Sequence, residues 1–267
     1  MIRAFWSEWL KFRRWSVLAG SGVMVVASAF VAYLTFHQIT SGATGEELTP
    51  LIEAFPTPLG LLTVVGQTRS LIIVLTLMMV TVNLAAEWSQ GTLRNLLVRE
   101  PRRVRLLAGK MLALLLFVAL SMTLTLAVCL ALVFAMANAQ GIQTAAWTSS
   151  QGLDALLAFY GNELLCLLGI SLLGMLVAVL TRSVGTAVGV ALAYVLVPEG
   201  IIAMVWLQGS QWFPVRTFNY LPGSVFPPEV GPTPPQGYPA ALLVALLWMV
   251  AFAGVGAVVF RRQDIYA

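Results

Sequence analysis

The chain has 267 residues, of which 59% are hydrophobic and only 10% charged, and its mean hydropathy is +0.89. A soluble domain carries about 25% charged residues, so this chain has too little polar side chain to cover itself and must use the bilayer as its main solvent. The net charge is +4; its basic residues cluster between apolar runs, a pattern of membrane orientation that argues against a nucleic-acid partner.

Residues 2–14 open the chain. Ile2, Phe5, Trp6, Trp9 and Leu10 recur at helical spacing, with Arg3, Ser7, Glu8, Lys11 and Arg14 on much of the other side. That pattern predicts a basic amphipathic helix lying in the membrane interface. It also has the shape of a signal peptide, and Ala27–Ser28–Ala29 resembles a cleavage site. The apolar run from Trp15 to Phe36 exceeds the ~7–15 residues of a signal core, so an uncleaved first span is expected.

Six spans follow, at about 15–37, 67–86, 110–137, 153–180, 184–207 and 240–260. Each approaches the roughly 20 apolar residues that cross a bilayer. Residues 38–60 hold Glu46, Glu47 and Glu53 without Lys or Arg, and read as an outside loop with room for a short helix. Residues 138–151 are polar and read as outside, and 181–183 as a tight inside turn. The Gly185–Gly189 spacing offers a small-residue face, expected to pack within the subunit. Residues 208–239 are too rich in proline for a continuous span. They form either an outside loop or a re-entrant region with a short helix over 216–225.

Of the 15 Lys and Arg, only Arg69 and Arg216 fall outside the segments placed in the cytoplasm with the N-terminus inside. This asymmetry predicts that both termini face the cytoplasm. The fold expected is an all-α polytopic membrane protein, a single transmembrane domain over 1–267.

The stretch 87–110, EWSQGTLRNLLVREPRRVRLLAGK, holds Arg94, Arg99, Arg102, Arg103, Arg105 and Lys110 between two spans. Ser89 or Thr92 can cap a short helix near Gly91. Leu93, Leu96 and Leu97 then share one face with Arg94 beside it. Pro101 suits the first turn of the next helix. On composition alone this is a basic loop that sets topology. Gly109–Lys110 is no phosphate loop, since Val104 and Met111 stand where that loop needs glycine and Ser or Thr. The two cysteines, Cys129 and Cys166, lie in apolar runs, and His37 is the only histidine, so no metal-ligand spacing arises.

The pattern of Glu87, Gly91, Thr92, Leu93, Arg94, Leu96, Leu97, Pro101, Arg103, Leu107, Gly109 and Lys110 resembles the cytoplasmic loop of ABC-2 type transporter permeases. The layout of an interfacial helix, six spans and a long region before the last span is similar too. So is Tyr220–Leu221–Pro222–Gly223; Arg102 departs from the family, which often has a smaller residue there. The resemblance implies a coupling helix over 91–98, docked in a cleft of a separate ABC ATP-binding subunit. Leu93, Leu96 and Leu97 would be its apolar key, Arg94 and Arg103 its polar contacts. Glu87 would pair with Arg94 or cap the loop. It further implies two copies of that subunit and a second permease chain, with contact through spans 1 and 5. ATP and Mg would be bound by the partner, no cofactor by this chain, and the location would be the cell membrane, with export the direction. An anchor or assembly subunit without a pathway, and an ion-coupled transporter working alone, are the other classes considered.

Glu163 in span 4 is an ionisable residue at depth. It can contact a cationic substrate, take up a proton, pair structurally with Arg69, or sit at the interface if span 4 starts later. The methionines of the spans read as packing or lipid-facing residues.

Overall fold

A computed structural model describes residues 15–41, 49–93 and 103–263. The interfacial helix expected over 2–14 lies outside the described residues. Eleven helices occur among those described. They are α1 (Trp15–Thr40), α2 (Thr49–Ala54), α3 (Gly60–Gly66), α4 (Arg69–Ser89), α5 (Arg103–Ala139) and α6 (Ser150–Thr181). After them come α7 (Val184–Leu196), α8 (Pro198–Val205), α9 (Leu207–Ser210), α10 (Pro214–Gly223) and α11 (Tyr238–Arg262). Six helical stretches are long and apolar enough to cross a membrane, which makes this a multi-pass helical architecture. The apolar side chains of Val26, Phe30, Leu157, Leu247 and Val250 are exposed on its outside, where a soluble fold would carry charge.

Local chemistry sets several helix ends. Ser149 starts α6 with its hydroxyl oxygen accepting from Gly152 N at 3.2 Å, an N-cap. Arg182 ends α6 at φ 56°, the left-handed turn that closes many helices, and α7 begins two residues later. Span 2 is split. Thr68 Oγ1 donates to Val65 O at 2.8 Å, and the chain turns between α3 and α4 at Gln67–Thr68.

Helix α6 is the hub, with α4, α10 and α11 packed on it, while α1 packs mainly on α5. Small residues permit the closest approaches. A Cβ at Gly174 would lie 2.8 Å from Thr81 Oγ1 of α4, and one at Gly169 would lie 2.5 Å from the Phe218 ring of α10. Glycine at both positions lets the neighbours reach the α6 backbone. At one end of the bundle Phe36, Phe55, Phe134 and Trp147 form edge-to-face contacts with centroids 5.2–5.8 Å apart. The Trp147 indole N–H donates to Phe55 O at 3.0 Å, so this apolar cluster also satisfies its one polar tip.

The fifth span, expected over 184–207, is found at Val184–Val205, as two helices that meet at Val197, where Pro198 has no N–H for the carbonyl four residues earlier; the short α9 follows after Trp206. One expectation needs correcting: Gly185 and Gly189 do not pack within the subunit. Nothing lies within 4 Å of a Cβ built on either, and both are exposed, so the small-residue face of α7 points away from the bundle.

Candidate functional site

Helix α4 ends in Glu87, Trp88 and Ser89, followed by Gly91 at φ 64°. That left-handed conformation costs glycine little. Thr92 and Leu93 then begin a new helical turn. Arg94, Leu96, Leu97 and Pro101 lie outside the described residues. Thr92 Oγ1 donates to Glu87 O at 3.4 Å, and Ser89 Oγ accepts from Val184 N of α7 at 3.3 Å. Leu93 is only 2% exposed and belongs to the core. Its side chain faces the bundle.

Among the described residues Glu87 pairs with Lys110; Arg94, the partner expected for it, lies outside them. The Lys110 ammonium donates to Glu87 Oε1, and both side chains are buried. The pair joins the end of α4 to the seventh residue past the start of α5, so it closes the base of the 88–109 connection. Arg103 is also engaged within the chain. Its guanidinium donates to Arg261 O at 3.3 Å and to Gln263 O, the free carbonyls at the C-terminal end of α11, where positive charge is favourable. Gln263 Nε2 in turn donates to Val179 O of α6 at 2.6 Å, and Trp88 meets Phe260 edge-on at 5.8 Å. The ends of α4, α5, α6, α7 and α11 are thus cross-tied on the face from which the basic connection emerges.

The second cluster lies at the other end of α4. Arg69 Nε donates to Glu163 Oε2 at 2.9 Å. Its Nη2 donates to Asn219 O at 3.1 Å and Asn219 Oδ1 at 3.3 Å. Neighbouring Asn162 accepts from the Tyr238 hydroxyl at 2.7 Å. The ion pair therefore ties α4, α6 and α10 together, with α11 joined one residue away. Glu163 is 0% exposed, and its Oε1 has no partner among the described residues. Glu163 borders a small cavity lined also by Thr68, Thr125, Cys129 and Phe159.

Both buried pairs sit on α4. The rise from Arg69 to Glu87 is about 27 Å, close to the roughly 30 Å of a bilayer's hydrocarbon core. No charged residue lies between them on that helix. The two pairs therefore bracket an apolar slab, which places Glu163 at an edge of the slab on α6 rather than at its middle. Helix α10 packs on α6 beside that edge. Phe218 packs on Gly169, one and a half turns beyond Glu163 toward the basic end, and meets Phe252 of α11 at 6.4 Å. Pro214, Val215, Thr217, Phe218, Leu221, Pro222 and Gly223 are all buried. The short helix of one of the two readings of 208–239, over 216–225, is found at 214–223.

Several residues of these clusters were not legible as partners. Glu199 accepts from Val215 N at 2.9 Å and Arg216 N at 2.7 Å, capping α10 from another helix. Asn219 and Gln263 form the other long-range ties. The one available signal was Glu199 itself, a carboxylate beside Pro198 in a stretch read as a span.

A family model described as a protein of unknown function, DUF2705, matches residues 60–266, most of the chain. No curated protein matches it.

Proposed function

The chain belongs to the DUF2705 family of proteins of unknown function, and we propose that it is the membrane-spanning permease subunit of an ATP-driven transporter of the ABC-2 type. In this reading both termini face the cytoplasm of a cell whose plasma or inner membrane holds the chain. The 88–109 connection is the mechanical input, and a separate ABC ATP-binding subunit, present in two copies, pushes on residues 91–98. A second permease subunit completes the pathway, and the transport direction is export.

One observation carries the mechanical part: the buried Glu87–Lys110 pair at the base of the connection. A push on a loop moves helices only if the loop's ends cannot slide independently. The pair holds those ends together, and the Arg103–Gln263–Val179 chain of hydrogen bonds extends the tie to α11 and α6. The Arg69–Glu163 pair supports a passive role for that carboxylate, since it already has a cation. That weakens the reading of an ion-coupled carrier acting alone.

The test is co-purification with an ATP-binding subunit, followed by ATPase and export assays in vesicles. Leu97→Glu places a charge on the apolar ridge of the connection. It is expected to abolish export and solute-stimulated ATPase activity while membrane insertion and melting temperature stay unchanged. Coupling that survives this substitution removes the mechanism. An anchor subunit without a pathway would show no stimulation by any solute.

A further inference from the structure

At the Tyr238 end of the bundle, the chain between α8 and α11 encloses an open basin of about 520 Å³, within the size range of small-molecule sites. Its walls are Trp206, Gln208, Gln211, Trp212, Pro235 and Gln236. The basin contains two indoles, three carboxamides and no charged side chain. Its walls are built rather than loose. The Trp206 ring lies against the backbone of Gly209, where a Cβ would be 2.2 Å from the indole. Trp212 O accepts from the Trp248 indole at 2.8 Å. Beside the basin runs the most exposed apolar stretch of the described chain, with Met204 at 89% and Val205 at 87% exposure, followed by Leu207.

We propose that this basin binds an amphiphile with an uncharged, hydroxyl-rich head group, in chemical class a neutral glycolipid. Each carboxamide offers both a donor and an acceptor, the pattern that pairs with adjacent hydroxyls. The indole faces suit the apolar face of a sugar ring. A phosphate head would find no Lys or Arg in the lining to pair with. The tail has its own surface, since Met204, Val205 and Leu207 are exposed and adjoin Trp206 of the lining. The inference concerns the end of the bundle opposite the basic connection and does not depend on the ATPase reading.

The full chain is reconstituted in nanodiscs doped with one of three diazirine-tailed probes: a monoglucosyl diacylglycerol, a phosphatidylcholine or a phosphatidylglycerol. Photo-adducts are then mapped by mass spectrometry. The glucosyl probe is expected to label 204–212 and 234–237 preferentially. Gln208→Leu combined with Gln236→Leu is expected to cut that labelling about tenfold, the effect of losing two neutral hydrogen bonds. Both side chains are exposed, so the double variant keeps the fold, which its melting temperature checks. Labelling that is absent, equal for all three probes, strongest for the phosphatidylcholine probe or indifferent to the leucine variants overturns the proposal. In the last three cases the basin meets only annular lipid or a choline head.

Discussion

Replacing Arg69 with Met tests whether the buried ion pair holds three helices together. Arg69→Met leaves the fully buried Glu163 carboxylate without its cation, and its Oε1 already lacks a partner among the described residues. Removing one member of a buried pair costs about 3–5 kcal/mol. Asn219 O and Oδ1 lose their donor at the same time, adding about 1 kcal/mol. Removing both charges, by Arg69→Met with Glu163→Met, eliminates the stranded carboxylate. Apolar replacements of buried pairs are often neutral or stabilising, so the double variant is expected to recover most of the loss. The double-mutant cycle should then give an interaction energy of about 2 kcal/mol or more. The assay is reversible unfolding in mixed micelles, followed by tryptophan fluorescence and circular dichroism. Single variants that each cost under about 1 kcal/mol and add without interaction would refute the reasoning, because the pair would then be solvated.

Three further outcomes follow from the packing. Gly169→Val should destabilise the fold by about 1–3 kcal/mol, because its Cβ would meet the Phe218 ring at 2.5 Å; a melting curve, with raised labelling of cysteines placed in α10, checks it. Glu199→Ala removes the acceptor for Val215 N and Arg216 N and should cost about 1–2 kcal/mol, with Glu199→Gln losing less; an unchanged melting temperature for the alanine variant would show that α10 does not need this cap. Gly189→Leu should leave the stability of an isolated subunit within about 0.5 kcal/mol, since its Cβ meets nothing within 4 Å, and a large loss would place α7 differently.

The expectations from residue order fared differently according to the range of the forces involved. Each spanning stretch showed itself because twenty consecutive apolar residues are a local property, and the bilayer imposes helix on any such run. The short helix at 214–223 was foreseeable from eight prolines between 208 and 239, which leave only a short run free for a helix. The Arg69–Glu163 pair was foreseeable because two opposite charges at compatible depths on antiparallel spans have few other partners. The exit at Gly91 matched for a similar reason, as a sharp turn after a helix favours glycine.

Contacts between distant stretches were decided by tertiary packing alone. Glu87 took Lys110 among the described residues, and Arg103 took the end of α11, choices that depend on how α4, α5 and α11 converge. Gly185 and Gly189 share one face of α7 by spacing, but only the assembled bundle determines that this face is left open. The break at Pro198 was written in one residue, while the use made of it, a carboxylate turned to cap α10, required two segments to meet. Hydropathy is read along the chain and settles which stretches enter the membrane. The pairing of their polar groups is settled across it, by which helices come within hydrogen-bond reach.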